Sequence, residues 1–116
     1  MRIGELARLT GVAPSAIRYY EERDMFSPGQ ILRSPSGYRD YTPAARQRLE
    51  LILAGREAGL SLSRMRTQMT NWNTMDDSTR ADLMEDQWQR LDDQIAALTR
   101  SRDIVAGVAA ELRGRG

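Results

Sequence analysis

Arg18 and Tyr19 stand inside the stretch Ala16-Ile-Arg-Tyr-Tyr-Glu-Glu22, and their side chains suit the recognition of a polyanion. A guanidinium offers five N–H groups in a planar fork that matches a phosphate or the edge of a guanine. Wound as a helix from Pro14 to about Arg23, this stretch places Ile17 and Tyr20 on one side and Ser15, Arg18, Tyr19 and Glu22 on the other. The first pair is expected to pack, and the second group is free to bind. Arg23, Arg33, Tyr38, Arg39, Arg64 and Arg66 extend the same chemistry along the chain, so the candidate contact set is Ser15, Arg18, Tyr19, Arg23, Arg33, Tyr38, Arg39, Arg64 and Arg66. A solvated pair of charges is the competing reading for Arg64 and Arg66, and simple packing for the tyrosines.

Charge supports that reading in one half of the chain. All 17 basic residues are arginine, and the formal net charge is only +1. Residues 1–66 hold 11 Arg against 7 Asp and Glu, a balance of +4, while residues 67–116 hold 6 against 9, a balance of −3. The first part has the sign of a polyanion binder and the second does not.

Cysteine and histidine are absent. Without thiolate or imidazole a zinc, copper or iron–sulfur site would need an all-carboxylate shell, so no metal and no cofactor are expected. The same absence removes disulfides and the cysteine- and histidine-based nucleophiles. The acidic pairs Asp76-Asp77 and Asp92-Asp93 are sequence neighbours that do not converge on one substrate, and the chain is not read as an enzyme. No apolar run approaches the ~20 residues that span a bilayer. The N-terminal stretch enters an amphipathic segment rather than a signal peptide, which predicts a cytoplasmic, nucleoid-associated protein.

The elements that would hold these residues follow from local signals. Gly4 to Thr10 can form a short helix burying Leu6 and Ala7, ended by Gly11 in a left-handed conformation, with Pro14 opening the next. Ala7, Gly11 and Ile17 fall at the spacing of a helix-turn-helix. Gln30–Arg33 and Tyr38–Tyr41 read as two short strands around Ser34-Pro35-Ser36-Gly37, a hairpin in which Tyr38 and Asp40 face one way and Arg39 and Tyr41 the other. Thr42-Pro43 starts a helix striped by Leu49, Ile52, Leu53 and Arg56 and stopped by Gly59. Ser61 begins another, with Leu62, Met65 and Met69 turned inward.

From Ser78 the chain changes character. Ala81, Met84, Trp88, Leu91, Ile95, Leu98, Arg102, Val105, Ala109 and Leu112 are separated by alternating intervals of three and four, a heptad seam. At 1.5 Å per residue such a helix is roughly 50 Å long, too long to pack wholly on a small domain. It is expected to pair with a copy of itself through Met84, Trp88, Leu91, Ile95, Leu98, Val105 and Leu112. The predicted organisation is a DNA-binding domain over 1–70, a linker over 71–77, a dimerisation helix over 78–113 and a frayed tail over 114–116. Trp72, Met75, Met84 and Trp88 cluster around the linker in a chain poor in aromatics, and they suggest a small-molecule pocket. Methionine and tryptophan at helical spacing are more often core.

Five motifs taken together resemble a family. Ile3-Gly-Glu-Leu-Ala7, Thr10-Gly-Val12, Ile17-Arg-Tyr-Tyr-Glu-Glu22, Ser36-Gly-Tyr-Arg39 with Tyr41, and Ala58-Gly-Leu-Ser61 resemble, in order and over residues 1–70, the DNA-binding domain of MerR-type transcription regulators. The resemblance implies a mainly α fold: a winged helix-turn-helix with a small β-hairpin wing, followed by a long helix that dimerises as an antiparallel coiled coil. It implies Arg18 and Tyr19 in the major groove and Tyr38 and Arg39 on the flanking backbone. It also implies a homodimer on a palindromic operator in double-stranded DNA, acting with RNA polymerase at promoters whose spacer is overlong, by bending and untwisting the DNA.

The chain departs from the family's sensing members. It has none of the cysteines that metal and redox sensors carry near the end of the coiled coil, and with the sequence read to Gly116 the separate drug-binding domain of others is not expected. Ala13 replaces the usual hydroxyl cap, and Ser63-Arg64 stands where acidic residues are frequent. Two readings compete with the promoter regulator: a sensor using the linker pocket, and an architectural DNA-binding protein without promoter control.

Overall fold

The computed structural model describes residues 1–116, which divide into two compact units, Met1–Thr74 and Met75–Gly116. In the first, helix α1 (Ile3–Thr10) buries Leu6 and Ala7 and ends at Gly11, whose φ of 74° is open to glycine and whose N–H donates to the Ala7 carbonyl at 2.9 Å. Helix α2 (Pro14–Glu22) begins on proline, where a missing N–H costs nothing, and no side chain caps it. Ile17 is its buried residue, and Tyr20 packs beside it. Asp24 then takes a left-handed φ of 61°, a conformation aspartate tolerates better than most residues. That reversal sends Met25 into the interior.

Strands β1 (Ile31–Arg33) and β2 (Arg39–Tyr41) form an antiparallel hairpin in which Ile31 faces Tyr41, Leu32 faces Asp40 and Arg33 faces Arg39. Its turn is closed by the Gly37 N–H on the Ser34 carbonyl at 2.9 Å, with Pro35 presetting the bend. An isolated hairpin is marginal in water. Here it is held by Met1, whose carbonyl accepts from the Tyr41 N–H at 2.7 Å and whose amino group donates to the Tyr41 carbonyl at 3.0 Å and to Asp40 Oδ1 at 2.6 Å.

Helix α3 (Pro43–Glu57) is capped by Thr42, whose Oγ1 accepts from the Ala45 N–H and donates to the Gln30 carbonyl, tying cap to hairpin. It buries Ala45, Arg48, Leu49 and Ile52. Arg56 is exposed and donates to the Leu60 carbonyl, so the apolar stripe stops one turn earlier than its spacing suggests. Helix α4 (Leu62–Met69), capped by Ser61, turns Met65 fully inward and Leu62 and Met69 partly. A Cβ on Gly55 would run into the Met65 sulfur, so glycine makes room on α3 for the buried Met65 side chain of α4.

The interior of this unit has two parts. Leu6, Ala7, Ile17, Tyr41, Ala45 and Leu49 form the larger, and Met25, Ile52 and Met65 the smaller. Tyr20 packs against both, so helix α2 is fixed on its inner face by the whole unit.

In the second unit, helix α5 (Asp77–Arg115) is 39 residues long. Asp76 caps it by accepting from the Thr79 N–H at 2.8 Å, and hydrogen bonding from the Thr79 side chain first, then from that N–H, holds its carboxyl below the usual range. The helix begins one residue before the expected start and runs through Gly114 to Arg115, beyond the expected end at 113. Arg113 and Arg115 favour that continuation, because cations stabilise the negative end of a helix. Within residues 71–77, where a linker is expected, Trp72–Thr74 form a single 3-10 turn. No residue of α5 is buried, and no helix of the chain is long and apolar enough to cross a membrane.

Candidate nucleic-acid interface

The outer side of α2 carries Ser15, Arg18, Tyr19, Glu22 and Arg23, all exposed, while Ile17 is sealed. This is the division its helical spacing predicts. Tyr19 and Tyr20 meet edge to face at 5.7 Å, so the packed ring supports the outward one. The Arg23 guanidinium lies 3.4 Å from the centre of the Tyr19 ring and also bonds the Tyr19 carbonyl. A stacked guanidinium keeps its charge and its in-plane donors, which presents a rigid cation beside a rigid ring.

The hairpin is joined to α2 through one carboxylate. Glu21 Oε1 accepts from Arg39 Nε at 2.6 Å, and Glu21 Oε2 accepts from the Tyr41 hydroxyl at 3.2 Å. The hydrogen bond and the charge of Glu21 raise the pKa of Arg39, and burial first, then Glu21, pushes Tyr41 up to about 12. Arg39 is therefore held by α2, and its attachment within the chain is the Glu21 pair. Opposite it in the register stands Arg33, exposed, so two arginines face each other at the end of the ladder next to the turn. Like charges directly opposite repel unless an anion lies between them.

On the other face of the hairpin Tyr38 is 62% exposed, and the Arg2 guanidinium sits 4.5 Å from its ring centre. Arg2 is a further candidate for this surface that the sequence did not single out; its neighbour Met1 pairs with β2 and brings its side chain to the hairpin. The neighbouring Asp40 carboxyl is held below its usual range by its bond to the Met1 amino group.

Arg64 and Arg66 lie exposed on α4. Tyr19, Arg23 and Arg66 share a cleft of about 540 Å³ with Ser63, Thr67 and Thr70. Ring, cations and hydroxyls from α2 and α4 thus converge on one surface. Arg66 also faces Asp24 at 3.8 Å, an exposed pair that costs little to open.

Trp72 lies half-buried in the first unit, and Met75, Met84 and Trp88 belong to the second, where Trp88 is 64% exposed. Leu91, Ile95, Leu98, Val105 and Leu112 lie exposed on α5 with Met84 and Trp88, and the off-seam residues Ile104 and Val108 widen the apolar stripe.

The sequence signature described as MerR HTH family regulatory protein matches residues 1–71, and the one described as MerR, DNA binding matches residues 46–108. The transcriptional regulator ZntR of Escherichia coli K12 is 43% identical over 65 residues, covering 56% of this chain and 45% of ZntR. The transcriptional regulator CueR of Vibrio cholerae serotype O1 is 34% identical over 101 residues, covering 85% of this chain and 71% of CueR. The chain therefore spans just under half the length of the first relative and about seven-tenths of the second. Among solved structures, HiNmlR, described as a MerR family regulator lacking the sensor domain and bound to promoter DNA, superposes with a TM-score of 0.73 at 26% identity, over 89% of this chain and 78% of that one.

Proposed function

Because the chain belongs to the MerR helix-turn-helix family of regulatory proteins, we propose that it is a homodimeric, sequence-specific DNA-binding transcription regulator. In this reading two copies pair through Met84, Trp88, Leu91, Ile95, Leu98, Val105 and Leu112 and present two α2 helices to a palindromic promoter operator. Arg18 and Tyr19 read bases in the major groove. Arg23, Arg33, Tyr38, Arg64, Arg66 and Arg2 meet phosphate, and Arg39 is set in place by Glu21. The dimer works in the cytoplasm, on the nucleoid, with RNA polymerase. It acts on promoters with an overlong spacer by bending and untwisting the DNA between the half-sites, at a cost on the order of a few kcal/mol that phosphate contacts offset.

The observation that carries this reading is the outer face of α2, where Ser15, Arg18, Tyr19 and Arg23 are exposed together on a helix pinned from behind by Ile17 and Tyr20. The test is footprinting upstream of the chain's own gene, followed by transcription in vitro on templates with normal and lengthened spacers. Arg18→Ala removes a bidentate contact worth ~1–3 kcal/mol in each half-site. Loss of specific protection with the dimer intact is expected; an unchanged footprint would refute the assigned helix, and equal transcription from both spacers would refute the untwisting mechanism.

A further inference from the structure

Arg48 is the buried charged side chain of the interior, 6% exposed. Its Nη1 donates to the Met25 carbonyl at 3.0 Å and to the Met69 sulfur at 3.7 Å, and its Nη2 donates to Ser27 Oγ at 2.7 Å. These bonds engage three of the five N–H groups of a guanidinium, and none of the acceptors is charged. A buried cation that meets only dipoles is an expensive arrangement, and burial accordingly draws the Arg48 pKa down.

A cleft of about 500 Å³ opens onto this guanidinium, within the size range of small-molecule sites. Arg66, Thr70 and Asn73 lie on its wall and add a second cation and neutral hydrogen-bonding groups. Its two carboxylates are already engaged: both Glu21 oxygens accept from Arg39 and Tyr41, and Asp24 faces Arg66. The lining therefore has spare positive charge and spare donors at Arg48 and no free negative charge to match them.

We infer that this cleft is a binding site for a small oxyanion, the carboxylate or phosphate group of a low-molecular-weight ligand, seated on Arg48 and closed by Arg66, Thr70 and Asn73. Such a ligand supplies the charge partner that the fold leaves out. Ser27, Pro28 and Gly29, which line the cleft, belong to the connection between α2 and the hairpin. Occupancy therefore bears on the segment that joins the two candidate DNA-contacting elements. The site lies wholly within residues 21–73 and stands independently of the DNA-binding reading.

The test uses the full chain labelled with nitrogen-15 at arginine, titrated with inorganic phosphate against chloride at matched ionic strength. The Arg48 Nε–H resonance, assigned by its proximity to Met25 and Met69, is expected to shift saturably, and the exposed variant Arg66→Gln is expected to weaken that binding at least fivefold. A shift shared equally by all arginines, a shift that never saturates, or an unchanged affinity in Arg66→Gln would overturn the site. A final arm adds duplex DNA in place of phosphate. An Arg48 shift produced by the duplex and not by phosphate would assign the pocket to a backbone phosphate and overturn the free-ligand proposal. Because the phosphate arms contain no DNA, failure of the oxyanion site and failure of the regulator reading are separately visible.

Discussion

Between Met1 and Thr74, Leu6, Ile17, Met25, Tyr41, Leu49 and Ile52 are sealed from water by their own chain, whereas between Met75 and Gly116 no residue of the long helix is buried. Both stretches are rich in apolar residues at helical spacing. They differ in what that spacing can meet: short helices broken at Gly11, at Asp24 and at Gly59 fold back on one another, while an unbroken helix of 39 residues cannot. Its local supports are modest, such as the Arg90–Asp86 pair at 3.2 Å, four residues apart and worth a few tenths of a kcal/mol. The first unit thus carries a sealed interior within its own chain, and the long helix of the second buries none of its residues there.

A charge in the apolar stripe of α5 breaks this contrast most severely. Leu98→Asp is expected to cost about 3 to 5 kcal/mol in each copy, enough to raise the dimer dissociation constant by well over a hundredfold. Sedimentation equilibrium checks this, and a chain that remains dimeric would remove α5 from the interface. Residues 1–74 should keep their cooperative melting in the same variant.

Alkaline pH attacks the other unit. The four tyrosines all lie in the first 41 residues, and Tyr41 is the buried one whose pKa is pushed up to about 12. The folded chain keeps that proton while the unfolded chain gives it up near 10, so the stabilisation is complete below pH 10 and is lost as pH rises to about 12. A shift of that size corresponds to on the order of 2 to 3 kcal/mol. Thermal melts across this window should lose stability in the first unit, and Tyr41→Phe, which cannot ionise, should flatten the dependence. An equal slope in that variant would assign the titration elsewhere.

One substitution made in both units sharpens the comparison at the smallest scale. Gly55→Ala drives a methyl group into the Met65 sulfur, and the overpacking, set against the gain in helix propensity, is expected to leave a net loss of ~1 kcal/mol. Gly107→Ala meets open space and is expected to raise stability by somewhat less than ~1 kcal/mol, seen as an upward shift of a few degrees or less in the melting temperature. Matching signs would show that the two helices are equally unconstrained by neighbours.

Much of the fold is legible residue by residue. Gly11, Pro14, Thr42, Ser61 and Gly59 punctuate the helices because they act on bonds within one turn, and Ile17 and Tyr20 against Arg18 and Tyr19 divide α2 by simple angular spacing. The outward residues of α2, the hairpin and the candidate seam could be proposed for the same reason. Two things lay beyond that reach: the buried state of Arg48, which sequence alone presents as one more charge on a helix, and the place of Arg2.

The sequence by itself determined where the chain turns, which faces are apolar and which half is basic, since each depends on neighbours within a few positions. Tertiary structure decided how those faces are used. Glu21 holds Arg39 and Tyr41 from 18 and 20 residues away, Arg48 reaches the Met25 carbonyl from 23 residues away, and Met1 completes the hairpin from 40. Such contacts have no local signature, because the free energy that selects them arises only when separate elements share one interior.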